Sequence, residues 1–157
     1  MLVSRPLPAA ALALAMAVAA ALVGQALAGD DPFGALSVYR QPWFALPSWG
    51  WVVVGIVYYL AMMFVVFRLL RRLPTASIAL GVVVGVMIAN EVWNVLVFGL
   101  QEPVWAAVGL IAFALLVLVG VYLARQQDRV ATWVLGGYAV WVIGYDIPWM
   151  LAVAVMN

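Results

Sequence analysis

The chain has no cysteine and no histidine. Disulfides, thiolate nucleophiles, zinc sites and histidine-ligated haem are therefore closed to it. Lysine is missing as well: all seven basic residues are arginine, a usage that hints at a GC-rich bacterial source. Charge of either sign is scarce, at 8% of residues, and the formal net charge is +1. So small a balance leaves no electrostatic footprint for nucleic acid. Soluble domains carry about a quarter charged residues, so an ordinary water-soluble fold is excluded too. The sequence holds no glycine-rich nucleotide loop, internal repeat or low-complexity stretch. It offers neither a nucleophile–base pair nor a metal-ligand set, so no enzyme class is indicated by motif and no obligatory cofactor is expected.

What the chain has instead is apolar length. Its 157 residues are 69% hydrophobic, with a mean hydropathy of +1.19. A membrane helix needs about 20 apolar residues to cross roughly 30 Å of hydrocarbon, and segments 8–28, 49–70, 77–99, 104–124 and 131–156 each meet that length. The expectation is an all-α integral membrane protein, a five-transmembrane-helix bundle forming one domain, with the lipid bilayer as its first partner. Residues 29–48 read as a long polar loop; the remaining connections are short. Arg5, Arg68, Arg71, Arg72, Arg125 and Arg129 fall on one side of such a bundle and Arg40 on the other. The positive-inside rule then puts the N-terminus in the cytoplasm, and the long loop and C-terminus outside. A multi-pass protein of a bacterial cytoplasmic membrane is the expected setting. The first segment has a second reading. Arg5, the Ala/Leu/Val run and Ala26-Leu27-Ala28 fit a signal peptide. The run is longer than a usual signal core and spans as it stands, so retention is expected; cleavage would leave four helices in the same orientation.

Eight tryptophans stand on this background. Trp43, Trp49, Trp105 and Trp133 lie near ends or loops, where indoles satisfy ring and N–H together at the bilayer interface. Trp51, Trp93 and Trp141 lie deeper, with Trp149 behind them. In the third segment, whose midpoint is near Ile88, helical spacing fans Trp93, Asn90, Asn94 and Glu91 across one arc. A carboxylate there costs about 2.5–3.5 kcal/mol on insertion scales, so it must face protein or a wet cavity. Interhelical hydrogen bonding is the alternative use of these polar groups. The fifth segment places Tyr138, Trp141, Tyr145, Trp149 and Asp146 on one face. Glu91 and Asp146 read as level, with no basic residue at their depth. They would share a proton, attract a cationic or hydrogen-bond-donating ligand group, or point to separate places. Trp51, Gly55 and Tyr59 form a stripe with a gap, read either as ligand space or as a helix-packing site. Gly81 and Gly85, extended by Ala89, are the better packing or dimer face.

Three blocks of this sequence resemble the TspO/MBR family, the tryptophan-rich sensory proteins related to translocator protein. Pro42-Trp43-Phe44-Ala45-Leu46-Pro47-Ser48-Trp49 is similar to the family's lead-in to the second helix, followed by Tyr58-Tyr59. Asn90-Glu91-Val92-Trp93-Asn94 with Phe98-Gly99 is similar to its third-helix motif, and Ala131 with Tyr138-Ala139-Val140-Trp141 to its last. The resemblance spans nearly the whole chain. It departs where the family's second-helix tryptophan falls on Gly55, with Trp51 one turn earlier, and where Glu91 and Asp146 replace residues that are usually apolar or small. The resemblance implies a five-helix bundle, often a homodimer, whose pocket takes porphyrins or other hydrophobic molecules. The resemblance carries Asn90, Trp93, Asn94, Trp141 and Tyr145 over to the pocket, with Pro42, Trp43 and Phe44 as a lid; the reading of the residues themselves adds Trp51, Tyr59, Glu91 and Asp146 as candidate ligand-binding residues. The expected function is binding of a planar hydrophobic ligand, a tetrapyrrole such as a porphyrin, in a sensory, regulatory or transport-related role. The alternatives are a membrane enzyme, through porphyrin breakdown or a Glu91/Asp146 acid–base pair, and a structural subunit of a membrane complex.

Overall fold

A computed structural model describes residues 5–28 and 32–157. Its helices are α1 (Pro6–Ala28), α2 (Pro32–Val38), α3 (Ser48–Leu70), α4 (Ser77–Asn94), α5 (Pro103–Ala124), α6 (Arg129–Trp141) and α7 (Ile147–Met156). Five helical stretches are long and apolar enough to cross a membrane: Pro6–Leu27, Ser48–Leu70, Ser77–Gly99, Pro103–Ala124 and Arg129–Met156. They agree with the five apolar segments of the sequence to within two residues at each end. The long first connection differs from expectation, because it contains the short helix α2. Gly29, Asp30 and Asp31 of that connection lie outside the described residues.

Helix starts follow their local chemistry. α1 and α5 each begin on a proline, whose missing N–H costs nothing in the first turn. α6 is capped by Asp128, whose carboxylate accepts from the N–H groups of Val130 (3.0 Å) and Ala131 (2.9 Å), satisfying two of the helix's orphan donors. The same carboxylate pairs with Arg68 at 2.8 Å and Arg72 at 3.6 Å. The end of α3 is thereby tied to the α5–α6 turn. Burial alone would raise the Asp128 carboxyl, but the Ala131 N–H and the Arg68 and Arg72 guanidinium groups outweigh it and hold it below the ordinary carboxylate range.

Two spans widen by one residue, one at its end and the other near its middle. α4 passes into a π-turn at Val95–Gly99, and α6 joins α7 through another at Val142–Asp146. In the second, the Ile147 N–H returns to the Val142 carbonyl, five residues back. Pro148 follows immediately, and a proline removes one ladder hydrogen bond and crowds the preceding turn. The π-turn accommodates that disruption. In the first π-turn, the Val97 carbonyl accepts from the Tyr39 hydroxyl at 2.9 Å. The chain leaves it through Gln101 at φ 55, while the Glu102 N–H closes on the Leu96 carbonyl at 2.9 Å. That is a left-handed helix cap built without glycine.

The interior is packed with Met62, Val65, Val66, Leu69, Val83, Val86, Leu110, Val117, Leu135 and Trp149, all essentially inaccessible. α1 belongs to this packing through Ala9, Ala13 and Ala17, small residues that let helices approach in lipid. Gly99 serves the same end: a Cβ there would stand 2.9 Å from the Leu27 carbonyl.

Candidate functional site

A cavity of about 370 Å³ lies between the C-terminal half of α1, the N-terminal half of α3, the end of α4 and the middle of the α6–α7 span. That volume falls within the range of small-molecule sites. Its aromatic wall is Trp51, Tyr58, Tyr59, Trp93, Phe98, Tyr138 and Trp141; its polar side chains include Gln25, Asn90, Asn94 and Asp146. Gly55 lines it with nothing within 4 Å of where a Cβ would be, so the gap between Trp51 and Tyr59 is cavity space.

The wall is braced from behind. Trp149 is fully buried; its ring lies 4.5 Å from that of Trp51 and 6.5 Å from that of Trp93. Its indole N–H donates to the Gln41 side-chain oxygen at 3.0 Å. The Trp93 N–H donates to the Ala106 carbonyl at 3.2 Å, which fixes that ring to α5. Trp141 stacks on Tyr145 at 4.7 Å and 28°.

Of the nine residues expected from sequence to contact ligand, Trp51, Tyr59, Asn90, Trp93, Asn94, Trp141 and Asp146 line this cavity together. Glu91 and Tyr145 stand just outside its surface. Glu91, 5% exposed, turns toward α1 and accepts from Tyr59 Oη (2.9 Å), Asn90 Nδ2 (3.3 Å) and Asn94 Nδ2 (3.1 Å). It fits because α1 carries glycine at that level: a Cβ on Gly24 would collide with Glu91 Oε2 and lie 3.1 Å from Tyr59 Oη. Tyr145 holds the loop, accepting from the Leu46 N–H at 2.8 Å and donating to the Phe44 carbonyl at 3.2 Å. Among the loop residues read as a lid, Pro42 is buried, Trp43 is 96% exposed and Phe44 meets Tyr145 edge-on at 6.4 Å. None of the three lines the cavity.

The two carboxylates therefore have different surroundings. Glu91 is enclosed by three donors. Asp146, 6% exposed, lines the cavity, and its Oδ1 has no hydrogen-bond partner among the described residues. The π-turn explains its placement, since residues five apart share a face there. Asp146 is thereby brought beside the Trp141 indole N–H. The π-turn after Trp93 does the same for Phe98, whose ring meets Trp93 edge-on at 6.4 Å.

Sequence reasoning missed the α1 wall of Ala21, Gly24 and Gln25, together with Tyr58 as a lining residue. A signal was present, because Gly24 and Gln25 break the Ala/Leu/Val/Met run that follows Pro8 in α1. Among the described residues no group of acidic, cysteine or histidine side chains could hold a metal ion.

No curated protein matches the chain. A family model, that of the TspO/MBR family, matches residues 9–145. The match runs from α1 into the second π-turn and stops one residue before Asp146. Covering most of the chain, it establishes that this five-helix membrane protein belongs to the TspO/MBR family.

Proposed function

We propose that this protein binds a planar hydrophobic ligand of the tetrapyrrole class within the membrane, in a sensory, regulatory or transport-related role. One observation carries the reading: three indoles, Trp51, Trp93 and Trp141, converge with the amides of Asn90 and Asn94 on one cavity of about 370 Å³. Aromatic walls supply contact area and roughly 0.5–1.5 kcal/mol per ring pair beyond burial, while a few polar groups set orientation. Asn90 is oriented by the Tyr138 hydroxyl, which donates to its Oδ1 at 3.4 Å.

The reading extends to the assembly and its setting. A Cβ added at Gly81 or Gly85 of α4 would meet nothing within 4 Å, and this face is the surface we assign to a homodimer. The arginine-rich end, with Arg68 and Arg72 on Asp128, is assigned to the cytoplasmic side of a bacterial membrane. The first loop and Asn157, joined by the Arg40 N–H to Asn157 Oδ1 bond of 2.9 Å, are assigned to the outside. Pro42, Trp43 and Phe44 are the lid over the Tyr145 side of the wall.

The test is tryptophan emission during titration of the detergent-solubilised protein with protoporphyrin. Saturable quenching is expected, weakened roughly three- to tenfold by Trp141→Leu, as loss of one stacked ring implies. Quenching that rises linearly without saturation, or is unchanged by the substitution, overturns the reading.

A further inference from the structure

Two buried side-chain atoms, Tyr58 Oη and Asp146 Oδ1, have no hydrogen-bond partner among the described residues, and both residues line the same cavity. A buried oxygen without a partner is costly in a protein interior. A carboxylate oxygen is the more demanding of the two, because when ionised it only accepts. What it lacks is a donor.

The Trp141 indole N–H lies beside the Asp146 carboxylate and the Tyr58 hydroxyl has no partner among the described residues, yet Oδ1 takes a bond from neither; most other donors of the wall are already spent. The Tyr59 hydroxyl and one N–H each of Asn90 and Asn94 are committed to Glu91. The Tyr138 hydroxyl is given to Asn90, and the Trp93 indole to the Ala106 carbonyl. Glu91 thus engages three donors of the wall. No arginine lies among the lining residues, so nothing basic competes for Asp146 or welcomes an anion. Six aromatic residues besides Phe98 line the space, and aromatic rings attract cations over their faces. A carboxylate oxygen without a partner and an aromatic wall together describe a receptor for positive charge.

We propose that the cavity selects its hydrophobic ligand through a protonated nitrogen, an organic amine or ring N–H cation, with Asp146 Oδ1 as the counter-ion and the indoles of Trp51, Trp93 and Trp141 around the attached rings. This rests on the cavity being a ligand site, and adds the charge of the ligand to it. Carboxylate groups on a ligand are left at the mouth, away from Asp146. A metal-filled macrocycle, with no ring N–H, gains nothing from this residue.

The experiment compares probes of one shape and different charge: aminoacridine, protonated at mildly alkaline pH; acridine, neutral there; and acridine carboxylate, an anion. Each is titrated into the full-length protein in uncharged detergent and followed by energy transfer from tryptophan. Aminoacridine is expected to bind at least about tenfold more tightly than acridine, and the carboxylate more weakly than either, as a charge-assisted hydrogen bond to a buried carboxylate implies. In Asp146→Asn the preference for the cation should vanish while acridine binding persists. Equal affinities of wild type for aminoacridine and acridine overturn the charge selection and leave the cavity as a ligand site. A cation preference that survives in Asp146→Asn overturns the assignment to Asp146. Saturation by none of the probes overturns the cavity reading itself. If Asp146→Asn does not fold, the ranking of the probes on wild type still decides the selection.

Discussion

Gly24→Ala adds one methyl group where α1 crosses Glu91. The new Cβ would collide with Glu91 Oε2, and would stand 3.0 Å from its Cδ and 3.1 Å from Tyr59 Oη. Glu91 cannot swing aside freely, because Tyr59, Asn90 and Asn94 hold it at 2.9, 3.3 and 3.1 Å. Loss of one hydrogen bond to a charged group costs about 1.5–3 kcal/mol. Alanine regains roughly 1 kcal/mol over glycine in a helix interior. The net expectation is destabilisation by about 0.5–2 kcal/mol. With Glu91→Ala already in place the collision is gone, and the same change should stabilise by about 1 kcal/mol. The coupling between the two sites is then about 1.5–3 kcal/mol. Denaturant unfolding of wild type, both single variants and the double variant, followed by tryptophan emission, measures it. If Gly24→Ala has the same effect in both backgrounds, α1 does not pack on Glu91 as described.

Three further outcomes follow from contacts at the two ends of the bundle. Asp128→Ala removes the α6 cap and the ion pair to Arg68, and should cost about 2 kcal/mol. Because the Asp128 carboxyl is held below its ordinary range, its contribution is complete above the unfolded-state pKa and fades as pH falls through the lower folded-state value. Thermal unfolding across acid pH should therefore show a loss in wild type that Asp128→Ala lacks. Tyr145→Phe keeps the stack on Trp141 but removes both bonds to Leu46 and Phe44. Proteolysis or hydrogen exchange should show residues 42–47 released first, at a global cost of about 1–2 kcal/mol. Gln101→Gly relieves a left-handed residue and should stabilise by about 1 kcal/mol in the same unfolding assay.

The spans were legible because apolar length alone defines them in lipid. The aromatic-polar arcs were legible because Asn90, Trp93 and Asn94 keep helical spacing up to the end of α4. Glu91 and Asp146 were harder. Equal depth along two helices left pairing and separate placement both open, and Glu91 is turned toward α1, which carries a glycine at that level. A neighbour supplied by tertiary packing leaves no trace in the periodicity of the helix that carries the carboxylate. Asp146 was read onto the Trp141 face and lines the cavity with it, but the π-turn that brings it beside that indole is not represented by a fixed advance of 100° per residue. Tyr145 shared the right face with Trp141 but spends its hydroxyl on the loop. The loop itself was read by composition alone, which gave no sign of α2 or of the Trp149–Gln41 bond that anchors it.

The π-turn at Val142–Asp146 also bears on how such a cavity is acquired or lost in descent. A π-turn amounts to an α-helix with one residue inserted, so its presence or absence turns on a single codon. Deleting one residue between Val142 and Tyr145 would restore a regular ladder and leave Trp141 where it is. It would also swing the downstream carboxylate by about one residue's rotation, away from the Trp141 indole. Charge can thus be withdrawn from the cavity in one genetic step, without any point substitution in its aromatic wall.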